Sequence, residues 1–140
     1  MKQSPRPPIK VVAGLIFRND QLLICQRRAT AAFALKWEFP GGKVENNESG
    51  VAALQRELKE ELAVEVREAE LFAQYEHSYE DGPTVFLQFY QVTNFAGEPR
   101  NLVFQHMLWA DLDKLKEFDF LVGDRRLIEQ IVGLKNGLLK

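Results

Sequence analysis

The chain has 140 residues, of which 46% are hydrophobic and 27% are charged, so it suits one globular domain with a single core and leaves no room for a second domain. Its net charge of -2 provides no basic surface field, which argues against nonspecific binding to nucleic-acid backbones. The single cysteine, Cys25, excludes an internal disulfide, and there is neither a long uncharged apolar run nor a signal-peptide core, so we expect a cytoplasmic protein without a membrane segment.

The first part of the chain predicts a tail followed by two strands. Residues 1–8 contain three prolines and two basic residues, and we expect them to form a flexible tail. Apolar, β-prone residues dominate segments 9–17 and 21–26. The intervening Asn19-Asp20 has turn chemistry, so these segments predict two strands joined by a tight turn.

The segment 41–64 predicts a glycine loop that runs into a helix of about three turns. Ser49 is suited to be the N-cap, because its hydroxyl accepts a hydrogen bond from a free amide of the first turn. Four apolar residues recur at intervals of three and four, so we expect one stripe that faces the core. These residues are Val51, Leu54, Leu58 and Leu62.

Three carboxylates lie beside this stripe. At roughly 100° per residue, Glu57, Glu60 and Glu61 share one face of the helix, where their like charges repel. Such a patch becomes favourable around a hard divalent cation, which takes oxygen ligands and completes its coordination with substrate phosphates. The pattern therefore favours a Mg²⁺ or Mn²⁺ site, and a solvated acidic helix face is the alternative.

The second half of the chain predicts further strands and one more helix. Residues 64–74 and 84–93 are β-prone and flank a loose turn, which indicates a hairpin, and 106–109 predicts a final strand. Residues 123–139 predict a C-terminal helix with apolar residues at helical spacing. These residues are Leu127, Ile131, Leu134 and Leu138. Mixed strands with two helices fit an α+β fold, specifically an α/β/α sandwich with a mixed β-sheet.

The spacing of polar residues around the predicted helix closely resembles the Nudix box of the Nudix hydrolases. It reads Gly42, five residues, Glu48, seven residues, Arg56-Glu57-Leu58, one residue, Glu60-Glu61, one residue, Ala63-Val64. The preceding Trp37-Glu38-Phe39-Pro40 resembles the lead-in of the MutT-like branch. The resemblance implies a single Nudix domain over residues 9–140, with the Nudix fold. It also implies a metal-dependent pyrophosphohydrolase that cleaves a nucleoside triphosphate, including oxidised ones such as 8-oxo-dGTP, to the monophosphate and pyrophosphate.

The same resemblance implies roles for the acidic residues. Glu57 and Glu61 correspond to metal ligands, Glu60 corresponds to a further ligand, and the carbonyl of Gly41 often joins them around Mg²⁺ or Mn²⁺. Either Glu57 or a carboxylate from a distant loop would deprotonate the attacking water.

Three other positions of the box bear on its structure. Glu48 and Arg56 resemble the family's internal ion pair, which holds the loop on the helix and leaves the metal carboxylates free. Ala63 stands where the family has glycine. If the backbone keeps a positive φ there, alanine costs roughly 1 kcal/mol.

Three residues outside the box are candidates for substrate binding. The family often uses a basic residue at the place of Arg27 to hold nucleotide phosphate or base, and solvent exposure is the alternative. Phe39 either flanks the base or packs in the core. Asp124 either reads the edge of the base or caps the C-terminal helix. As an ionised acceptor, it would suit guanine first and cytosine second.

Two other functions are open to the sequence. The substrate could instead be an RNA 5′-triphosphate end or a nucleotide sugar, although short loops favour a small nucleotide. The alternative that is not an enzyme is a nucleotide-binding module without catalysis. Val103 occupies the place where many MutT-like relatives have a metal-binding or catalytic glutamate. Glu76, Glu80 or Glu98 is a possible replacement from a neighbouring loop. No oligomeric state is indicated.

Overall fold

A computed structural model describes residues 7–138 of the chain. Eight strands precede the C-terminal helix: β1 (Ile9–Leu15), β2 (Phe17–Arg18), β3 (Gln21–Gln26), β4 (Trp37–Glu38), β5 (Gly41–Lys43), β6 (Glu65–Ser78), β7 (Thr84–Ala96) and β8 (His106–Asp111). The helices are α1 (Gly50–Leu62) and α2 (Arg125–Leu138), and two 3₁₀ turns cover Leu112–Glu117 and Val122–Asp124. Most of the expected tail, residues 1–6, lies outside the described residues. No helix within 7–138 is long and apolar enough to cross a membrane.

The strands form two four-stranded sheets. In the first sheet the order is β5-β1-β7-β6, with β1 and β7 parallel and the other pairs antiparallel. In the second sheet β3 pairs antiparallel with β2, β4 and β8. The predicted hairpin is the pair β6 and β7, and both strands are longer than expected. Strand β6 continues beyond the predicted segment into polar residues. It lies at the edge of the sheet, and an antiparallel sheet can leave one face in water, so polar side chains fit on that face.

Strand β3 separates two apolar cores. Leu22 and Ile24 point into a cluster that contains residues of α2, whereas Leu23 and Cys25 point into a cluster that contains residues of α1. Alternate side chains of a strand face opposite sides, so a fully apolar strand is buried on both faces. One helix therefore lies on each side of the sheets, which confirms the predicted α/β/α sandwich with mixed pairing.

Helix α1 begins as predicted, with the Ser49 hydroxyl accepting a hydrogen bond from the Ala52 N–H at 3.0 Å. Three residues of the predicted stripe are fully buried, namely Leu54, Leu58 and Leu62. The prediction is wrong for Val51, which is 37% exposed. The first residues of α1 in the apolar cluster are Ala53 and Leu54, so Val51, which precedes them, lies at the edge of that cluster.

Helix α2 begins two residues later than predicted, because Val122–Asp124 form a 3₁₀ turn before it. Leu127 and Ile131 are fully buried as expected. The side chains of Leu134 and Leu138 lie outside the described part of the structure. The start of α2 is held by Tyr75 of β6, whose hydroxyl accepts a hydrogen bond from the Leu127 N–H at 3.2 Å.

Candidate active site

Two glycines bring strand β5 against both β1 and α1. A Cβ atom on Gly41 would lie 2.0 Å from the carbonyl oxygen of Val12, and one on Gly42 would lie 2.5 Å from the carboxylate carbon of Glu57. No side chain fits at either place, since real Cβ atoms do not approach other atoms so closely. The Glu57 carboxylate therefore packs directly on the backbone of the glycine loop.

Hydrogen bonds hold both the side chain and the backbone of Glu61. Its carboxylate accepts a hydrogen bond from the Gly41 N–H at 3.0 Å, and its carbonyl oxygen accepts one from the Leu102 N–H at 3.1 Å. The Arg100 N–H bonds the Leu62 carbonyl at 2.9 Å, so the loop before β8 satisfies free carbonyls at the end of α1. Burial and the charge of Glu57 raise the pKa of Glu61 to about 8.

Arg56 connects the loop to the helix as the ion-pair prediction requires. Its Nε and one terminal nitrogen donate to both oxygens of Glu48, at 2.8 Å and 2.9 Å, and a terminal nitrogen also donates to the Lys43 carbonyl at 3.1 Å. The hydrogen bonds from Arg56 lower the pKa of Glu48 to about 2. One expectation is wrong: the pair does not leave the metal carboxylates free, because Arg56 also donates to Glu57 at 2.6 Å.

Glu60 differs from its two neighbours. Its side chain is 60% exposed, and its nearest charged partner is Arg56 at 3.8 Å. Helix geometry places Glu57 and Glu61 one turn apart against the glycine loop, while Glu60 faces outward. Glu60 is thus the most exposed of three carboxylates that lie near one another, because Glu57 and Glu60 approach the same Arg56 nitrogen, at 2.6 Å and 3.8 Å.

The ligand atoms that these residues offer suit a hard divalent cation. Within residues 7–138, no group of three or more Asp, Glu, His or Cys side chains is already arranged to hold one. Burial raises the pKa of the Glu61 carboxyl, and the charges of Glu57, Glu38 and Glu60 raise it further, so a nearby positive charge would relieve that repulsion. The bare Gly42 also lets the Glu57 carboxylate lie against the loop backbone, close to the carboxylate of Glu61. All of the available donors are oxygens, which suits Mg²⁺ or Mn²⁺.

A pocket of about 1030 Å³ opens beside the glycine loop. It brings together five residues that the sequence analysis selected, from four separate parts of the chain. They are Arg27, Phe39, Gly41, Glu61 and Asp124. Glu57 and Glu60 do not line it.

Glu38 is a site residue that the sequence analysis missed. Glu38 lines the pocket, and its carboxylate pairs with the Arg27 guanidinium at 3.2 Å. Arg27 is held further by the Ala32 carbonyl, which accepts from its Nε at 2.7 Å. Burial raises the pKa of Glu38, and the charge and hydrogen bonds of Arg27 oppose that rise. The available signal was a charged residue between the two aromatic residues of an apolar segment, because such a charge requires a partner.

Asp124 lies on the pocket and does not cap α2 in the expected way. The first-turn N–H that such a cap would take, that of Leu127, donates to the Tyr75 hydroxyl instead. Burial and the charge of Glu38 raise the pKa of Asp124 to about 8, and a hydrogen bond from the Phe39 N–H limits the rise. The raised pKa of Asp124 favours a neutral carboxyl, which both donates and accepts, over the ionised acceptor that the sequence analysis expected.

Phe39 belongs to the core and also lines the pocket. Its side chain is buried, and its ring centroid lies 5.3 Å from that of Phe120 and 6.3 Å from that of Phe89. The two roles considered for this residue are thus compatible, since Phe39 packs against aromatic rings of the core and also lines the pocket.

The expected distant carboxylate has one candidate on the pocket. Val103 is partly exposed, and its carbonyl accepts a hydrogen bond from Arg28. Glu98 pairs with Arg18 at 2.8 Å on the surface. Of the three proposed replacements, Glu80 lines the pocket, whereas Glu76 and Glu98 do not.

Comparison with known proteins agrees with this geometry. The chain matches the model of the NUDIX domain over residues 7–131. It is 34% identical to CTP pyrophosphohydrolase of Escherichia coli K12 over 127 residues, covering 91% of this chain and 93% of that protein. It is 35% identical to 8-oxo-dGTP diphosphatase of Haemophilus influenzae over 128 residues, covering 89% and 91%.

Solved structures agree as well. A MutT Nudix hydrolase from Burkholderia pseudomallei superposes with a TM-score of 0.81 at 28% identity, covering 90% of this chain and 99% of that one. The box, the lead-in and the fold thus point to the same group of proteins. This chain belongs to the Nudix family and is a hydrolase of its MutT-like branch.

Proposed function

We propose that this chain is a metal-dependent pyrophosphohydrolase that cleaves a nucleoside or deoxynucleoside triphosphate to the monophosphate and pyrophosphate. The observation that carries the proposal is one pocket with two kinds of lining. Gly41, Gly42 and Glu61, from the glycine loop and helix α1, line it together with Arg27 and Asp124. Carboxylates beside a glycine loop suit a phosphate chain bound through a cation, and a buried carboxyl suits the edge of a base.

Glu57 and Glu61 are the residues that would hold the cation, with Glu60 and the Gly41 carbonyl as further oxygen donors. Mg²⁺ or Mn²⁺ suits this set of oxygens. When bound, such a cation neutralises the charge that develops on the phosphate oxygens during hydrolysis.

The chain's own residues orient these groups before a substrate arrives. Arg56 holds Glu57 at 2.6 Å, and the Gly41 N–H holds Glu61 at 3.0 Å. In the reaction, the water oxygen bonds to phosphorus, a bridging P–O bond breaks, and a carboxylate takes the water proton. Glu57 is one candidate for that base, and Glu80 and Glu38, which both line the pocket, are the others.

An oxidised guanine nucleotide such as 8-oxo-dGTP is our first choice of substrate, and CTP is the second. Relatives named for each reaction match this chain at similar identity, 35% and 34%. The neutral Asp124 carboxyl donates one hydrogen bond and accepts another, and both guanine and cytosine present donors and acceptors on their edges. Arg27, already paired with Glu38, would approach phosphate or base from the same pocket.

A hydrolysis screen tests the reaction class. The purified chain is incubated with Mg²⁺ or Mn²⁺ and with 8-oxo-dGTP, dGTP, CTP, ATP, a triphosphorylated RNA or a nucleotide sugar, and the products are separated by ion exchange. We expect monophosphate and pyrophosphate in equal amounts from a free nucleotide. Release of inorganic phosphate, or turnover of RNA ends or nucleotide sugars alone, contradicts the proposal, and the absence of any turnover indicates a binding module.

Charge-removing variants test the assigned carboxylates. Glu57→Gln and Glu61→Gln keep size and hydrogen bonding but remove charge, so turnover at saturating Mg²⁺ should fall by at least about 100-fold with the fold intact. Glu70→Gln, an exposed residue of β6, is the matched control and should behave as wild type. Normal turnover in both site variants contradicts the mechanism.

A further inference from the structure

An exposed aromatic residue stands at the mouth of the pocket in an unfavourable conformation. Phe33 lies in the loop between β3 and β4, its side chain is 54% exposed, and its φ is 54°. Left-handed backbone is unfavourable for a residue with a bulky side chain, and an exposed phenyl ring gains little from burial. Phe33 also lines the pocket, so its ring faces the space in which a substrate would bind.

Phe33 contacts a second aromatic residue across the pocket mouth. Its ring centroid lies 5.3 Å from that of Tyr79, at an angle of 35° between the planes. Tyr79 is supported in turn by the edge of His77, 4.5 Å away. The Tyr79 hydroxyl reaches the backbone next to Asp124, because a Cβ on Gly123 would lie 3.0 Å from it.

These contacts place two aromatic rings, those of Phe33 and Tyr79, beside Asp124, the residue proposed to read the base. Phe33 and Tyr79 join the part of the pocket that contains Asp124, and Glu61 lies at the glycine loop. A nucleotide has the same two ends, a charged phosphate chain and a flat base. Every base offers a π-face that stacks on an aromatic ring whatever its hydrogen-bonding edge.

We propose that Phe33, supported by Tyr79, stacks on the nucleobase of the substrate and contributes to affinity for any base, whereas Asp124 discriminates between bases. The inference rests on the proposed function, because it assumes a nucleotide in this pocket. It predicts that affinity and base selectivity are separable by mutation.

The same loop offers a matched control. Leu35 is also apolar, is 44% exposed and has a φ of 62°, but it does not line the pocket. Phe33→Ala and Leu35→Ala both remove an exposed apolar side chain and keep Cβ, so each leaves the same backbone strain. Only the first removes a ring from the pocket.

The test is calorimetric titration with dGMP, dCMP and base-free deoxyribose 5-phosphate, in the absence of metal. We expect Phe33→Ala to weaken dGMP and dCMP binding by a similar factor, about 5- to 150-fold, and to leave deoxyribose 5-phosphate binding unchanged. Phe33→Tyr should retain wild-type binding, and so should Leu35→Ala. Unchanged melting temperatures establish that the variants fold.

The inference is overturned if Phe33→Ala binds both nucleotides normally, if it weakens deoxyribose 5-phosphate equally, or if the wild type binds no nucleotide. Failure of the proposed function gives a different result. In that case the wild type releases no pyrophosphate from any triphosphate, yet the loss of base binding in Phe33→Ala still supports the stacking role.

Discussion

The Tyr75 hydroxyl donates a hydrogen bond to the Gly123 carbonyl at 2.6 Å. The same oxygen accepts from the Leu127 N–H at 3.2 Å, so one side chain of β6 holds both sides of the turn that carries Asp124. The burial of this hydroxyl, with the charge of Asp124 nearby, raises the pKa of Tyr75 to about 12. A residue on the first sheet thereby sets the position of a pocket carboxyl that lies far along the chain.

Replacing Tyr75 with Phe tests this connection. The variant leaves a buried carbonyl and a buried N–H without their partner, so the free energy of unfolding should fall by about 1–3 kcal/mol. Urea unfolding followed by circular dichroism measures the change. Tyr79→Phe is the control, because the Tyr79 hydroxyl makes no hydrogen bond within residues 7–138; equal losses in the two variants would contradict the role of Tyr75.

Ala63 ends helix α1 with φ 57° and ψ 35°, a left-handed conformation that glycine adopts more readily. Ala63→Gly should therefore raise the free energy of unfolding by about 1 kcal/mol. Ala52→Gly, in the first turn of the same helix, should lower it, since glycine loses more conformational freedom than alanine on entering a helix. A loss of stability in Ala63→Gly would show that another contact of the alanine outweighs the backbone term.

The Glu48–Arg56 pair should make stability depend on acid pH. The pKa of Glu48 falls from its ordinary 4.5 to about 2 in the folded protein. Its contribution is therefore fully present above about pH 4.5 and is lost as the pH falls towards 2. The stability difference between wild type and Glu48→Gln should shrink across that interval, as measured by thermal melts at several pH values.

The surface pair Arg18–Glu98 is the comparison for this experiment. Its side chains are 39% and 69% exposed, against 25% and 15% for Arg56 and Glu48. Water screens exposed pairs, so Glu98→Gln should change stability less at every pH. A pH-independent difference for Glu48→Gln would exclude the ion pair as a source of stability.

Asp124 should impose the opposite pH dependence. Its pKa rises from 3.8 to about 8 on folding, so the native state binds a proton that the unfolded state has lost, and stability falls as the pH rises through this interval. Asp124→Asn does not titrate. The variant should gain stability relative to wild type between about pH 4 and 8, by at most about 1.4 kcal/mol per pH unit, and the gain should level off above pH 8.

Chemical unfolding from pH 5 to 9 measures this gain. Asp119→Asn is the control, because Asp119 is exposed and Lys36 lowers its pKa below 3.8, so its difference from wild type should stay constant over the same range. A constant difference for Asp124→Asn as well would mean that the Asp124 carboxyl is ionised in the folded protein.

Local features of this protein could be read from its sequence. The glycine loop, the Ser49 cap and the left-handed end of α1 at Ala63 depend on atoms within a few residues of one another. The Glu48–Arg56 pair is expected from the resemblance of these two positions to the Nudix box, and it joins a loop to the helix that follows it. The burial of β3 on both faces likewise follows from its unbroken run of apolar residues.

The contacts that form the pocket could be identified only from the tertiary structure. The partner of Arg27 is Glu38, the hydroxyl at the start of α2 belongs to Tyr75, and the raised pKa of Asp124 arises from burial beside Glu38. No spacing in the sequence predicts these contacts, because they join segments that only the packing of two sheets and two helices brings together. Burial and the proximity of charge are properties of that packing, so they decide which carboxyl is protonated and which side chains face the substrate.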